Sequence, residues 1–407
     1  MPKRCTTCNK EKQYNMTKTE RIMKASDDAY LQIYHRFPVA FDHGDGVYLY
    51  DAEGKEYLDF GAGIAVMALG YNHKRYNDAL KTQIDKLIHT SNLFYHEPGA
   101  VAGKKLRDVS GLQHVFFTNS GTEAVEGALK LAKKHANANS KQNYEIIAMN
   151  HSFHGRSTGS LSLTGTEKYR APFEPLLANI KFADFNNLDS VKALVNDNTA
   201  AIILETIQGE GGVYPASSEF LEGVRTLCDR HNALMILDEI QCGMGRTGSM
   251  FAYQQYNVKP DILLVAKALG CGVPVGAFVC NDKAAAMTYG DHGTTYGGNP
   301  FVCAAVSEVF DIFEDEHILG NVKAVGQYLW EKLEELKNSH DCIVDHRGVG
   351  LIQGLQFNES PKAIVDKALE YGLVLISAGN NTIRFVPPLV ITKDSVDEML
   401  LKFQAAI

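Results

Sequence analysis

No stretch of this sequence approaches the length of a transmembrane span, and its polar, lysine-rich beginning lacks the apolar segment of a secretory signal, so the expected place is the cytoplasm. Basic runs are missing beyond short pairs such as Lys133-Lys134, and the formal net charge is −8. Neither nucleic acid nor an anionic membrane is drawn over long range, and any anionic ligand must be held by local donors. Of eight cysteines, only Cys5 and Cys8 form a C-x-x-C; no second pair, and no Cys/His pair at finger spacing, completes a zinc site. Cys228, Cys280 and Cys303 sit in apolar text, as buried reduced thiols do. A dinucleotide fingerprint is absent too, because Gly61-Ala62-Gly63-Ile64-Ala65-Val66 lacks its third glycine. There is no internal repeat and no low-complexity segment.

What is present is an ordinary globular composition over 407 residues, enough for a large domain with a smaller one. Residues 1–25, polar and without periodicity, read as a flexible extension leading into a helix. Residues 26–70, with a hairpin signal around Asp51 to Gly54, are expected to contribute to the small domain. Residues 71–315 alternate apolar strands with amphipathic helices, which predicts an α/β domain with a mostly parallel sheet covered by helices; 316–407 read as a small α+β domain. Strands are expected at His114 to Phe117, Glu145 to Ala148, Ala201 to Leu204, Ala233 to Leu237 and Ile262 to Val265, and in the C-terminal region at Val349 to Leu355, Leu373 to Ile376 and Thr382 to Val386. Ser120, His154, Glu205, Asp238 and Lys267 stand just past the ends of the first five. Ligands of open α/β sheets bind outside the carboxyl ends of the strands, so these residues are expected to meet in one crevice.

Each has a plain alternative. Lys267 either snorkels to the surface or sits in a partly dry pocket, its lowered pKa freeing the amine to attack a carbonyl. Ser120, Gly121 and Thr122 open a helix, where they cap it or present N–H and hydroxyl donors to a phosphate. Asp238 caps, bridges, or faces a protonated ring nitrogen. Phe153 offers a stacking ring and Arg156 a carboxylate fork, against the readings of core phenylalanine and solvated arginine. His151 and His154 without acidic or thiol partners do not make a metal site, and no metal is expected. Gly155-Arg156-Ser157-Thr158-Gly159 fits G-x-S-x-G, with Asp238 and His292 following in hydrolase order, yet no strand runs directly into Ser157.

Together, these motifs resemble the class III, pyridoxal-phosphate-dependent aminotransferases of fold type I, over nearly everything after about residue 28. The pieces that carry the resemblance are Asn119-Ser120-Gly121-Thr122-Glu123-Ala124, Phe153-His154-Gly155-Arg156, Ile207-Gln208-Gly209-Glu210-Gly211-Gly212, Leu237-Asp238-Glu239-Ile240-Gln241, Ala266-Lys267-Ala268-Leu269-Gly270, His292 to Pro300 and Ile383-Arg384-Phe385. The resemblance implies pyridoxal 5'-phosphate as cofactor, joined to Lys267, which then shuttles a proton. It implies Asp238 on the pyridine nitrogen, Gln241 on the ring hydroxyl, Phe153 on the ring face, and Gly121 and Thr122 at the phosphate. Thr295 would come from the partner subunit of a homodimer, with Thr294 near the substrate. Arg156 would take the α-carboxylate, while Glu205 and Arg384 would pair and part as substrates alternate. Within the class the set is most similar to enzymes acting on acylated ornithine, implying N2-acetyl-L-ornithine as donor and 2-oxoglutarate as acceptor. Other ω-amine donors, the serine hydrolase on Ser157 and a non-catalytic relative are the alternatives. Thr206, Met67 and Cys271 depart from common family residues, and Ile64 argues against free ornithine.

Overall fold

The computed structural model describes residues 16–407; the Cys5 and Cys8 pair lies outside them. Its central sheet has seven strands: β1 (His114–Thr118), β2 (Glu145–Met149), β3 (Ile180–Ala183), β4 (Thr199–Glu205), β5 (Leu234–Asp238), β6 (Ile262–Val265) and β7 (Gly276–Cys280). They lie in the order β1-β7-β6-β5-β4-β2-β3, and β7 runs antiparallel to both its neighbours. All residues of β4, β5 and β6 are buried. Alternate residues serve opposite faces: Leu204, Leu237 and Leu263 enter one core, Ile203, Ile236 and Leu264 another. Each such side chain stabilises the sheet by roughly 1.5–3 kcal/mol. The helix α1 (Gly121–Ala138) follows β1 and packs Ala124, Ala128 and Ala132 on the second face. Its Gly127 is required, since a Cβ there would lie 2.2 Å from the Phe278 ring.

β3 and β7 have no counterpart in the sequence reading. β3 is a half-buried edge strand, Ile180-Lys181-Phe182-Ala183, and β7 opens with glycine after a Gly/Pro loop, so neither shows a strong β pattern. Beyond the sheet, Phe41–Asp45, Tyr48–Asp51 and Glu56–Asp59 form an antiparallel set joined in parallel by Leu373–Val374. A further sheet holds Ile343–Val349, Ile352–Phe357, Thr382–Phe385 and Ile376–Ala378.

Three expectations are corrected. Val349 to Leu355 is not one strand: Gly350, at φ 58°, turns the chain between two antiparallel strands. Leu373 to Ile376 divides between two sheets. The stretch expected to be flexible up to residue 25 holds the start of a helix, Lys18–Ala29, because Thr17 and Glu20 close a capping box. Among the described residues no helix is long and apolar enough to cross a membrane.

Candidate active site

A cavity of about 420 Å³ lies at the carboxyl ends of the central strands, and Ser120, His154, Glu205, Asp238 and Lys267 all line it. The sheet register aligns them, since Asp238 is level with Glu205 on β4 and Leu264 on β6. Five residues scattered over the sequence are thus gathered by one mostly parallel sheet.

Lys267 begins a single 3-10 turn after β6 with φ 48°, a left-handed backbone that costs a non-glycine residue about 1 kcal/mol or more. Burial pushes its ammonium down to about 8, against the pull of Glu210, so a sizeable neutral fraction exists near neutrality. Asp238 is 4% exposed; its carboxylate meets His154 Nδ1 at 2.7 Å and accepts from the Ile240 N–H at 3.0 Å. His154 is buried, and its Nε2 has no hydrogen-bond partner among the described residues. The sequence placed His154 at this crevice without its role: the ring orients the carboxylate of Asp238.

At the mouth of α1, Ser120 caps the helix by accepting from the Glu123 N–H, and Gly121 lies over Ile240, where a Cβ would come within 2.8 Å. The Thr122 hydroxyl is engaged with Ser160 and Ser157, at 2.6 and 2.9 Å. Its oxygen is therefore tied to a serine cluster that Glu126 also holds, leaving the backbone N–H groups of the helix end as the principal anion donors. Ser157 donates to Glu126 at 2.5 Å, Asp238 is engaged by His154, and His292 packs on Phe116 and Phe278. These contacts do not assemble a Ser157–His292–Asp238 triad.

Phe153 lines the cavity, and the exposed Arg156 lies over its ring at 5.5 Å. The same guanidinium stacks on Tyr169 at 3.8 Å, a contact no sequence signal announced.

Glu205 does not pair with Arg384. It is buried, accepts among the described residues only from the Phe153 N–H at 3.4 Å, and burial together with repulsion from Asp238 pushes its carboxyl well above the usual range, which favours the neutral form. Arg384, on the strand Thr382–Phe385 and 2% exposed, donates through Nη1 to Glu210 Oε1 and to Gln241 Oε1, both at 2.7 Å. Although burial pushes Glu210 up, Arg384 and Lys267 hold it below its ordinary value, so it stays charged. The misassignment has a simple cause: Glu205 and Glu210 both lie near the end of β4, and the connection after the strand brings the second toward Arg384. A charged residue among Gly209, Gly211 and Gly212 was the available signal.

Thr294 accepts from Asn119 at 3.2 Å, and neither it nor Thr295 lines the cavity of this chain. Thr206, at a position where proline is common in the resembling family, donates to the buried Glu239. Among the described residues no group of three His, Cys, Asp or Glu is placed to hold a metal ion.

The donor set fits pyridoxal phosphate. A lysine amine poised to lose its proton, a buried carboxylate oriented for a cationic nitrogen, and an open helix N-terminus face one cavity. Gly155 adds a cradle that no larger residue allows, since a Cβ would stand 2.4 Å from Thr122 Oγ1.

Known proteins resemble this chain in sequence and fold. The family described as aminotransferase class-III matches residues 30–407. An acetylornithine aminotransferase of Clostridium acetobutylicum is 45% identical over 93% of this chain and 98% of its own. A succinylornithine transaminase of Yersinia pseudotuberculosis is 44% identical over 89% and 91%. Among solved structures, an ornithine aminotransferase from Toxoplasma gondii superposes with a TM-score of 0.92 at 29% identity, over 99% of this chain and 98% of its own. An acetylornithine aminotransferase from Elizabethkingia anophelis gives 0.86 at 30%, over 96% and 99%. With its large sheet, its lysine after β6 and this coverage, the chain belongs to the class III aminotransferases.

Proposed function

We propose that the chain transfers the δ-amino group of N2-acetyl-L-ornithine to 2-oxoglutarate, giving N-acetyl-L-glutamate 5-semialdehyde and L-glutamate, in arginine biosynthesis and in the cytoplasm. The acetylornithine aminotransferases among its relatives support the donor. The observation that carries the reading is the Glu210–Arg384 pair beside Lys267, together with an Arg156 that makes no ion pair with any described residue.

The two substrates differ at the reacting carbon. In 2-oxoglutarate that carbon bears a carboxylate; in acetylornithine it does not. Arg384 is close enough to Lys267 to influence its charge, so the carboxylate next to the reacting carbon is the one it suits. While the donor occupies the site, Glu210 neutralises Arg384; when the acceptor enters, Glu210 yields. Arg156, steadied on Tyr169, takes the carboxylate at the far end of either substrate.

Pyridoxal phosphate, when bound, supplies the electron sink through which the amino group changes hands. Asp238 would hold a proton on the ring nitrogen, Phe153 would offer its ring for stacking, Gln241 would serve the ring hydroxyl, and Gly121 with the end of α1 would receive the phosphate. Lys267 Nζ would take the proton from the donor's reacting carbon and, in the second half of the reaction, give a proton to the acceptor's reacting carbon.

The active unit is a homodimer in which Thr295 and Thr294 serve the partner's site. Leu93, Phe94 and Tyr95 are 86, 67 and 107% exposed, an apolar strip calling for a cover. Asn92 ties that strip to the backbone of Thr294 and Gly297.

A donor with an acidic acyl group, N-succinylornithine, is a second reading, favoured by Lys168. Its ammonium lies 5.2 Å from the centroid of Tyr169, the ring that holds Arg156. The deciding experiment follows the visible spectrum of the cofactor-loaded protein. The yellow band should bleach with acetylornithine and return with 2-oxoglutarate. A band that answers only to succinylornithine or another amine overturns the donor, and a protein that retains no cofactor overturns the reading.

A further inference from the structure

Gln241 has a place in the structure that the ring hydroxyl does not account for. Its Oε1 accepts from Arg384 Nη1 at 2.7 Å, and its Nε2 donates to Glu210 Oε1 at 3.2 Å. Among the described residues, both acceptors of Arg384 fall on Nη1, and its buried Nε has none. The guanidinium is therefore anchored at one corner, and the Nε/Nη2 edge, whose two parallel N–H groups match the fork of a carboxylate, makes no bond to any described residue.

We propose that Gln241 is a specificity-determining residue of the acceptor half-reaction: it anchors Arg384 at Nη1 and presents the opposite edge to the carboxylate on the reacting carbon. The inference rests on the two-substrate reading above. When Glu210 yields, Gln241 is the one acceptor that remains to Arg384 among the described residues, and a 2%-exposed guanidinium without it loses both its partner and its orientation. The anchor must be neutral. A carboxylate at this position would keep Arg384 compensated and repel the incoming anion, whereas an amide oxygen holds the cation and leaves its charge available.

The surrounding sequence is shaped to this amide. A Cβ on Gly209 would stand 1.8 Å from Gln241 Oε1, so glycine is needed there for the amide to reach Arg384. Gly209 does not carry a positive φ, so the requirement is one of space and not of backbone conformation.

The test uses the cofactor-loaded enzyme with glutarate, an unreactive dicarboxylate, titrated by calorimetry, alongside the single-turnover rates with acetylornithine and with 2-oxoglutarate. Gln241→Ala should weaken glutarate about tenfold to a hundredfold. It should also lower the acceptor rate relative to the donor rate by about tenfold or more, whatever loss the two share. Gln241→Glu should weaken glutarate further than Gln241→Ala, and Gly209→Ala, which displaces the amide without altering it, should fall on the same side. If Gln241→Ala lowers both half-reactions alike, shifts the visible band and leaves glutarate affinity unchanged, Gln241 serves the ring alone and the inference fails. A wild-type protein that neither binds glutarate nor responds to 2-oxoglutarate overturns the two-substrate reading itself.

Discussion

The two ends of the active site are built differently. The cofactor end is assembled by one sheet: Glu205, Asp238 and Lys267 come from adjacent parallel strands, and the register puts Glu205 and Asp238 level. The substrate end is assembled across sheets, since Glu210 and Gln241 reach from the connections after β4 and β5 to an arginine on the strand Thr382–Phe385. A lesion at the first end should strike both halves of the reaction. One at the second should strike the half whose substrate carries the extra carboxylate.

The sharpest break of that contrast sets Lys267→Ala against Arg384→Ala. Removing the lysine amine proposed to move the substrate's proton should cost roughly 10⁴-fold or more in both single-turnover rates. Removing the guanidinium should cost about 10²-fold in kcat/KM for 2-oxoglutarate and only a few-fold for acetylornithine. Equal losses for the two substrates in Arg384→Ala would show that the ends are not separable.

The same division governs what could be read from the sequence. The end of each central strand was marked by a local change from apolar text to a single polar residue, and the rule that such ends converge needs no knowledge of pairing. Lys267, Asp238 and His154 were therefore legible as a group, though not the His154–Asp238 bond, which joins residues 84 apart. Arg384 was legible as a residue, but its partner was not. Two glutamates five positions apart were both plausible, and the choice depended on how the chain leaves β4, which hydrophobic periodicity does not encode. Tyr169 carried no signal at all, because one aromatic in a polar segment is usually unremarkable. The strands missed, β3 and β7, are those in which a half-buried edge or an initial glycine weakens the apolar pattern.

Two conservative substitutions sharpen the correction at the substrate end. Glu210→Gln removes the charge that masks Arg384 while the donor is bound, so discrimination between glutamate and acetylornithine should shift toward glutamate by about tenfold. Glu205→Gln acts on a carboxyl whose neutral form is favoured, because burial and Asp238 push it well above its ordinary range. Its effect on that preference should stay within about twofold. Measuring kcat/KM for both donors in both variants decides it: a preference that moves with Glu205 and not with Glu210 would restore the pairing the structure removes.

The smallest effect belongs to the cofactor-free protein, where the cost of Lys267 can be read as stability. In the folded chain its ammonium loses its proton near pH 8, whereas in the unfolded chain it does so near the ordinary value of 10.5. Below both values each state is protonated, and the fold carries a poorly solvated charge. Between them the folded state sheds its proton first, the unfolded state holds more protons, and stability must rise with pH. Lys267→Met removes the charge while keeping most of the volume, so the apo variant should exceed the wild-type apoprotein by about 1–3 kcal/mol at pH 7. That excess should shrink progressively as pH rises from 8 toward 10, other titrations being common to both proteins. Urea denaturation of the pair at pH 7 and pH 10 measures the two gaps. A gap that does not change with pH would assign the difference to packing or to the left-handed backbone at Lys267, and would remove desolvation as the reason its amine is ready to react.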